Sequence, residues 1–456
     1  MEVDQGALFD VPSTEVEAVS RGPRRGLKFR EPLSFDLIPR LPSDGVPSGH
    51  FVCRLAEAVA GLDLTGLLRT YRFKGGYGYE PRHLLAVVVF GMTDGVRDPR
   101  DLEEHCRYDA RYRYLTGGHV PDECTFERFI ERVAPFLEDL LRQLNGQAKV
   151  KLNLKLNEVA IDGTKVASNS SWWKYRKESE ELPSDPDARL MNSHGRSLVG
   201  YNAQIAIDTT TDFIVGADVF SAQADWHLAP EILKCVKDQA GELPACAIAD
   251  SGYEAPEAIK KVGEMGVDTV FQPRDGLPEC LHLNELGDLV CPAGRQLIQI
   301  SVKPNHGRML ANFRPEGGCR DCSLSKTCPF KGERIQVTEG GDPVEKYHNK
   351  ARYESEAYKG AMIRRRRVEI PFAQMKFHDG FNRFRRRGLK KVRAEFQLWV
   401  ISYNIRKLLG AVCALFERIW KASATQLTKK DRPSSVHPSL LQLFASMRFQ
   451  KAFPCR

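Results

Sequence analysis

The chain has 456 residues, enough for about two or three domains with sizeable cores, and its 42% hydrophobic content and mean hydropathy of −0.38 are those of an ordinary globular protein. Its net charge of +8 is modest, no run approaches the ~20 apolar residues of a membrane span, and the acidic, polar N-terminus is unlike a signal peptide. Twelve cysteines, scattered apart from one cluster, read as reduced thiols of a cytoplasmic protein with no membrane partner.

Residues 1–45 are rich in Pro, Ser and charge and read as a flexible segment. Residues 46–150 have helical spacing. The clearest stripe runs through Phe126, Phe129, Ile130, Val133, Phe136, Leu137, Leu140, Leu141 and Leu144, and 55–68 and 84–92 predict two further helices. The segment 107–114 (RYDARYRY) suits either phosphate contact with stacking or a solvated helix whose tyrosines pack inward.

The period then changes. Residues 158–166, 200–208 and 213–220 are short and β-prone, and a helix over 227–239 follows. Next come a strand at 245–250, a turn at 251–253, a helix through Met265 and a strand at 267–271. Three antiparallel strands, then helix, strand, helix, strand, is the order of a ribonuclease-H-like sheet. The expected fold is therefore α/β: a mixed ribonuclease-H-like sheet with flanking helices, preceded by an all-α N-terminal domain. Residues 151–271 form its first part and 343–420 its C-terminal part, with a tail at 421–456 and a small Cys-rich insertion at 272–342 between the two parts.

In that topology Asp162 on the first strand and Asp250 ending the fourth are neighbours, and two carboxylates so placed can share a Mg²⁺. A third acid, Glu369, sits in the most basic stretch of the chain. From Ala361 to Arg393 there are nine Arg and three Lys against Glu369 and Asp379, 12 − 2 = +10. Such a block marks a nucleic-acid surface or a solvated face, and a carboxylate inside it suits a divalent cation held beside phosphates. Singly, Asp162 before Gly163 could form a turn and Asp250 could cap a helix.

The insertion carries Cys291, Cys319, Cys322 and Cys328, spaced C-x27-C-x2-C-x5-C, with His306 as a spare ligand. These thiols could hold a structural Zn²⁺ that staples a loop-rich insertion too small for its own core, or remain free. Trp172, Trp173 and Trp226 read as packed side chains, with stacking on an unpaired base as the alternative. Trp399 reads as core.

The words YGYEPRHLL at 77–85, VRDPRDLEEHCRYDARYRYLTGGHVPDECTFERF at 96–129, IDGTK at 161–165, GYNAQIAID at 200–208 and IADSGY at 248–253 lie in order along the chain. With the block around Glu369, they resemble the DDE transposases of bacterial insertion sequences over about 77–407. The resemblance implies a catalytic triad of Asp162, Asp250 and Glu369, served by two Mg²⁺ or Mn²⁺ ions. It also implies double-stranded DNA as partner, both element ends and target, a homodimer in the DNA complex, and a cytoplasmic, nucleoid-associated protein.

Many relatives carry a Tyr, Arg, Glu, Lys signature. Arg365 and Lys376 fit its offsets of four before and seven after Glu369, and Met362 stands where the Tyr would be. Pro371 requires the helix to bend or to start close to Glu369. Arg365, Lys376, Lys165, Arg364, Arg366, Arg367, Arg383, Arg385, Arg386 and Arg387 are expected on phosphates. A ribonuclease-H-like nuclease or resolvase, and a non-catalytic domesticated DNA-binding protein, are the rival classes.

Overall fold

The computed structural model describes residues 45–427 except 48, 73–76, 177–181, 194, 275–277, 279, 306–307, 331–334 and 340–342. The expected flexible segment up to residue 44, the tail beyond 427, and His306 lie outside the described residues. The chain divides into two compact units, Met1–Leu152 with Gln397–Arg456, and Asn153–Phe396. The expected C-terminal part of the core, 343–420, is thereby divided at Gln397. No helix among the described residues is long and apolar enough to cross a membrane.

The first unit is helical: α1 (Phe51–Ala60), α2 (Thr65–Leu68), α3 (Pro81–Asp94), α4 (Pro99–Tyr108), α5 (Ala110–Leu115), α6 (Glu123–Val133) and α7 (Leu137–Lys151). Local chemistry starts these helices. Glu80, Asp98, Asp109 and Asp122 each accept a hydrogen bond from a backbone N–H in the first turn, and Pro81 and Pro99 stand where an N–H would have no partner. The long apolar stripe is buried, but Pro135 splits it with a 3-10 turn at Ala134–Phe136, so one expected helix is two. Tyr112 and Tyr114 are buried, Tyr108 is exposed, and Arg111 is bonded to Asp94 and Asp109, so the RYDARYRY segment packs two of its three tyrosines inward. The closing helix, Leu389–Leu427, contributes the buried Trp399 and Tyr403 to this unit.

Burial lowers the His83 imidazole from 6.5 to about 4, and the nearby His119 and Arg82 charges act the same way. Its folded value lies below its unfolded one, so protonation favours the unfolded chain. The stability it permits is complete above pH 6.5 and is lost as pH falls toward 4, by about 3 kcal/mol. Thermal melts between pH 7 and 4 are expected to show this decline, and His83→Gln is expected to flatten it. Equal slopes in the two proteins would refute the assignment.

The second unit is built on β1 (Glu158–Ala167), β2 (Arg189–Ser193), β3 (Arg196–Asp208), β4 (Ile214–Phe220), α8 (Leu228–Ala240), β5 (Cys246–Ala249), α9 (Pro256–Glu264) and β6 (Asp268–Phe271). The sheet order is β2-β3-β1-β5-β6, with β4 also paired to β3. β1, β2 and β4 run antiparallel to β3, while β1, β5 and β6 are mutually parallel, giving the mixed ribonuclease-H-like α/β sheet. β3 is buried almost continuously from Val199 to Asp208, as a central strand should be. β2 is the one strand of this sheet with no sequence signal, because RLMNS alternates too little to show a buried face.

The insertion departs from expectation. It holds the short pair β7 (His282–Leu283) and β8 (Leu289–Val290) and an antiparallel sheet of β9 (Leu297–Asn305), β10 (Arg308–Pro315) and β11 (Ile335–Glu339) in the order β11-β10-β9. Leu281, Leu289, Leu297, Ala311, Phe313, Ile335 and Val337 bury one another, with Cys291 and Tyr347, so the insertion has a core of its own. After it, α10 (Pro343–Glu354) returns to the main sheet. The Asn349 side chain there exchanges two 2.8 Å hydrogen bonds with the backbone of Phe271 on the edge strand β6.

Candidate functional site

The β1–β5 register pairs Glu158 with Cys246, Val159 with Ala247 and Ala160 with Ile248, and two residues further along each chain stand Asp162 and Asp250. Parallel pairing therefore brings together two acids 88 residues apart. Gly163 is not a turn residue: it lies within β1, where a Cβ would come within 2.0 Å of the Gln204 amide nitrogen. Asp250 both ends β5 and caps the 3-10 turn Ser251–Tyr253, accepting from the Gly252 N–H at 2.8 Å.

Glu369 arrives on a helical path of four short pieces: α11 (Ala361–Arg365), a 3-10 turn at Arg366–Val368, α12 (Glu369–Ala373) and a π-turn at Gln374–His378. This is how the chain passes Pro371. The helix restarts at Glu369, so the proline falls in a first turn, where its missing N–H breaks no intrahelical bond. The π-turn, closed by Asp379 N–H to Gln374 C=O at 3.0 Å, takes up one extra residue beside Lys376.

The three acids meet on one cation. Arg365 Nη2 donates to Asp162 Oδ2 at 2.9 Å and to Asp250 Oδ2 at 3.1 Å, and Nη1 reaches Glu369 Oε1 at 3.5 Å. Arg365 is thus turned onto the acids and away from the phosphate-facing role expected of it. Burial pushes the Asp162 carboxyl up to about 6 against the Arg365 charge, with Asp250 and Asp225 adding to the rise. Burial also lowers the Lys376 ammonium, while the Asp162 charge draws it back up.

Asp225, which the sequence offers only as an acid–base partner of the nearby His227, here serves other groups. Its Oδ1 accepts from Lys165 Nζ at 2.9 Å, Asn202 Nδ2 at 2.6 Å and Gln204 Nε2 at 2.8 Å. Lys165, expected on a phosphate, is committed to this hub. Asn202 and Gln204 share one face of β3, as alternate residues must, and Tyr201 on the other face donates to the buried Asp185 at 2.5 Å. The fully buried Tyr253 donates to Gln204 Oε1, and burial raises its hydroxyl so far that it stays a donor.

The basic residues divide by partner. Arg364 clasps Glu158 with bonds of 2.7 and 2.6 Å, and Arg367 holds Asp212 at 2.5 Å, so both guanidinium groups are engaged by acids while remaining partly exposed. Arg383 and Arg387 donate to backbone carbonyls of Ser168, Ser170 and Asn169, closing the 383–387 segment onto the end of β1. Arg366, Arg385 and Arg387 are exposed, and buried Glu395 accepts from the Arg385 and Arg386 N–H groups. Trp173 and Trp226 are exposed, which corrects their reading as packed side chains, and Arg274 lies over the Trp226 ring at 5.4 Å. The Trp172 side chain lies outside the described residues.

Among the described residues, the grouping of three His, Cys, Asp or Glu ligand atoms within 4.8 Å of one another is Asp94, His105 and Asp109. Arg111 already bonds Asp94 and Asp109 there, at 2.9 and 2.7 Å, so this is an ion-pair network of the first unit. Cys291, Cys319, Cys322 and Cys328 are not gathered to that distance. Cys291 is buried in the insertion core.

Two family models match the chain: one described as Transposase DDE domain over residues 290–409, the other as Transposase domain (DUF772) over residues 42–132. The chain carries a transposase DDE domain and a DUF772 transposase domain. These domains mark it as a transposase, an enzyme that acts on DNA, and DDE transposases generally use divalent metal ions. The DDE match contains Glu369, Arg365 and Lys376 and begins after Asp162 and Asp250. No curated protein matches the chain. A solved structure, the cryo-EM structure of piggyBac transposase synaptic complex with hairpin DNA, aligns at 10% identity over 87% of this chain and 82% of that one. Its TM-score of 0.30 is too low to bear on the fold.

Proposed function

We propose that this transposase acts on the ends of an insertion sequence and that Asp162, Asp250 and Glu369 are its catalytic acids. The observation that carries this reading is the convergence of three acids, distant in sequence, on a single cationic point. Two aspartate oxygens facing one position, with a glutamate beside them, form the hard oxygen set that suits Mg²⁺ or Mn²⁺. A bound pair of such ions would supply Lewis-acid stabilisation of the attacking and leaving oxygens in phosphodiester cleavage.

The protein's own groups do the rest. Asp162 and Asp250 stand beside each other because β1 and β5 are paired up to two residues before them. Lys376 brings positive charge to the acid cluster, where charge develops on a cleaved phosphate. The exposed Arg366, Arg385 and Arg387, together with Arg386, grip the DNA backbone and give salt-sensitive affinity. Water cuts at the element end, and the freed 3′-OH attacks target DNA, so no covalent protein–DNA intermediate forms. The helical region 46–150 contributes DNA contacts, and a homodimer handles the two ends in the cytoplasm of its cell.

The test is incubation of the protein with labelled inverted-repeat DNA, a target plasmid and Mg²⁺. Cleavage with joined product supports the reading. Cleavage alone would make the chain a nuclease, and binding alone would make it a non-catalytic DNA-binding protein.

A further inference from the structure

The most basic stretch of the chain contains one arginine that faces inward at the acids, and its surroundings differ from those of its neighbours. Arg364 and Arg367 pair with Glu158 and Asp212, acids outside the proposed triad. Arg365 pairs with all three members of it. Its side chain is only 15% exposed, and its Nε is buried with no hydrogen-bond partner among the described residues. The hydrogen bonds of this guanidinium therefore go to the triad, and no separate cradle holds it.

We propose that Arg365 is an internal counter-ion that occupies the cation position between Asp162 and Asp250 and must be displaced before a divalent ion can bind. This rests on the triad reading and adds a regulation of that site.

The same oxygens are contested. Nη2 lies 2.9 Å from Asp162 Oδ2 and 3.1 Å from Asp250 Oδ2, on the line of approach to both. A Mg²⁺ ion would need those oxygens at ~2.0–2.1 Å, a distance that leaves no room for a nitrogen bonded to the same pair. Charge explains why the site tolerates a stand-in. Two carboxylates, both less than 40% exposed, share one nitrogen and a third reaches the same guanidinium, so one cation offsets part of their repulsion until a dication replaces it. A displaced Arg365 needs a new anion, and a DNA phosphate beside the acids is one. Metal loading and DNA binding then favour each other, since each removes an obstacle to the other.

Mn²⁺ titration of the full-length protein without DNA, followed by electron paramagnetic resonance, tests this directly. Arg365→Gln is expected to bind Mn²⁺ at least tenfold more tightly than wild type and to melt at a lower temperature in chelator. Equal or weaker Mn²⁺ binding by Arg365→Gln overturns the counter-ion proposal. The double substitution Asp162→Asn with Asp250→Asn separates the two readings. If it leaves Mn²⁺ binding intact, the triad assignment itself is wrong. If it removes binding while Arg365→Gln changes nothing, only the counter-ion role fails. Should Arg365→Gln not fold, phenylglyoxal labelling of the wild type decides the same question. Adduct at Arg365 is expected to rise when Mg²⁺ is added, and an unchanged yield would count against displacement.

Discussion

Replacing Asp162, Asp250 or Glu369 with alanine is expected to lower strand cleavage about 10³-fold or more while leaving affinity for inverted-repeat DNA within a few-fold. The magnitude follows from what each acid contributes. Loss of a single hydrogen-bond donor at a developing charge costs ~10²–10³ in rate, and loss of a carboxylate that holds the metal removes more. DNA affinity is retained because the exposed arginines that grip phosphate lie on other residues. Glu369 is the cleanest probe. Its side chain is 62% exposed and its contact within the site is the 3.5 Å approach of Arg365, so its removal should leave the melting temperature unchanged. Cleavage on labelled DNA, with a mobility-shift control, reads both quantities. An alanine variant that still cuts at wild-type rate would remove that residue from the site.

Asp225→Ala is expected to destabilise the second unit by about 3–5 kcal/mol, a drop in melting temperature of about 10 °C. Three donors converge on Asp225 Oδ1, and they belong to side chains with little access to water: Lys165 is 12% exposed, and Asn202 and Gln204 are fully buried. Without the carboxylate, the Lys165 ammonium and the Asn202 amide N–H lose the partner they share, while Gln204 keeps its bond to Asn202, and each unpaired group carries its desolvation cost. Asp225→Asn keeps the shape and loses the charge, so it should cost less than alanine. Urea unfolding of the three proteins gives the comparison, and a loss below about 1 kcal/mol for alanine would show that the hub is not structural. The same substitution should slow cleavage, because Gln204 and Asn202 pack against Gly163, next to Asp162.

These two predictions concern residues of different legibility. Asp162 and Asp250 can be read as partners because the strand order around them is visible in short β-prone words. Glu369 stands out as an acid in a block of net charge +10. Asp225 has no such mark. It lies in a loop, and its three partners are 21 to 60 residues away. The core of the insertion is hidden from the sequence for a related reason: its sheet pairs β10 with strands on both sides, and its core draws on residues from Leu281 to Tyr347, a span over which no local period persists.

What the amino-acid order determined by itself is local or periodic: the helical stripe from Phe126 to Leu144, the strand and helix succession from Glu158 to Phe271, the caps at Glu80, Asp98, Asp109 and Asp122, and the charge density around Glu369. Hydrophobic spacing and side-chain-to-backbone bonds act within a few residues, so they are written in neighbouring letters. Which cation meets which anion is not. Arg364, Arg365 and Arg367 are near neighbours in one basic run, yet they face Glu158, the three acids and Asp212 respectively. Helical rotation of about 100° per residue, altered here by a 3-10 turn, aims each at a different surface that only the folded sheet supplies.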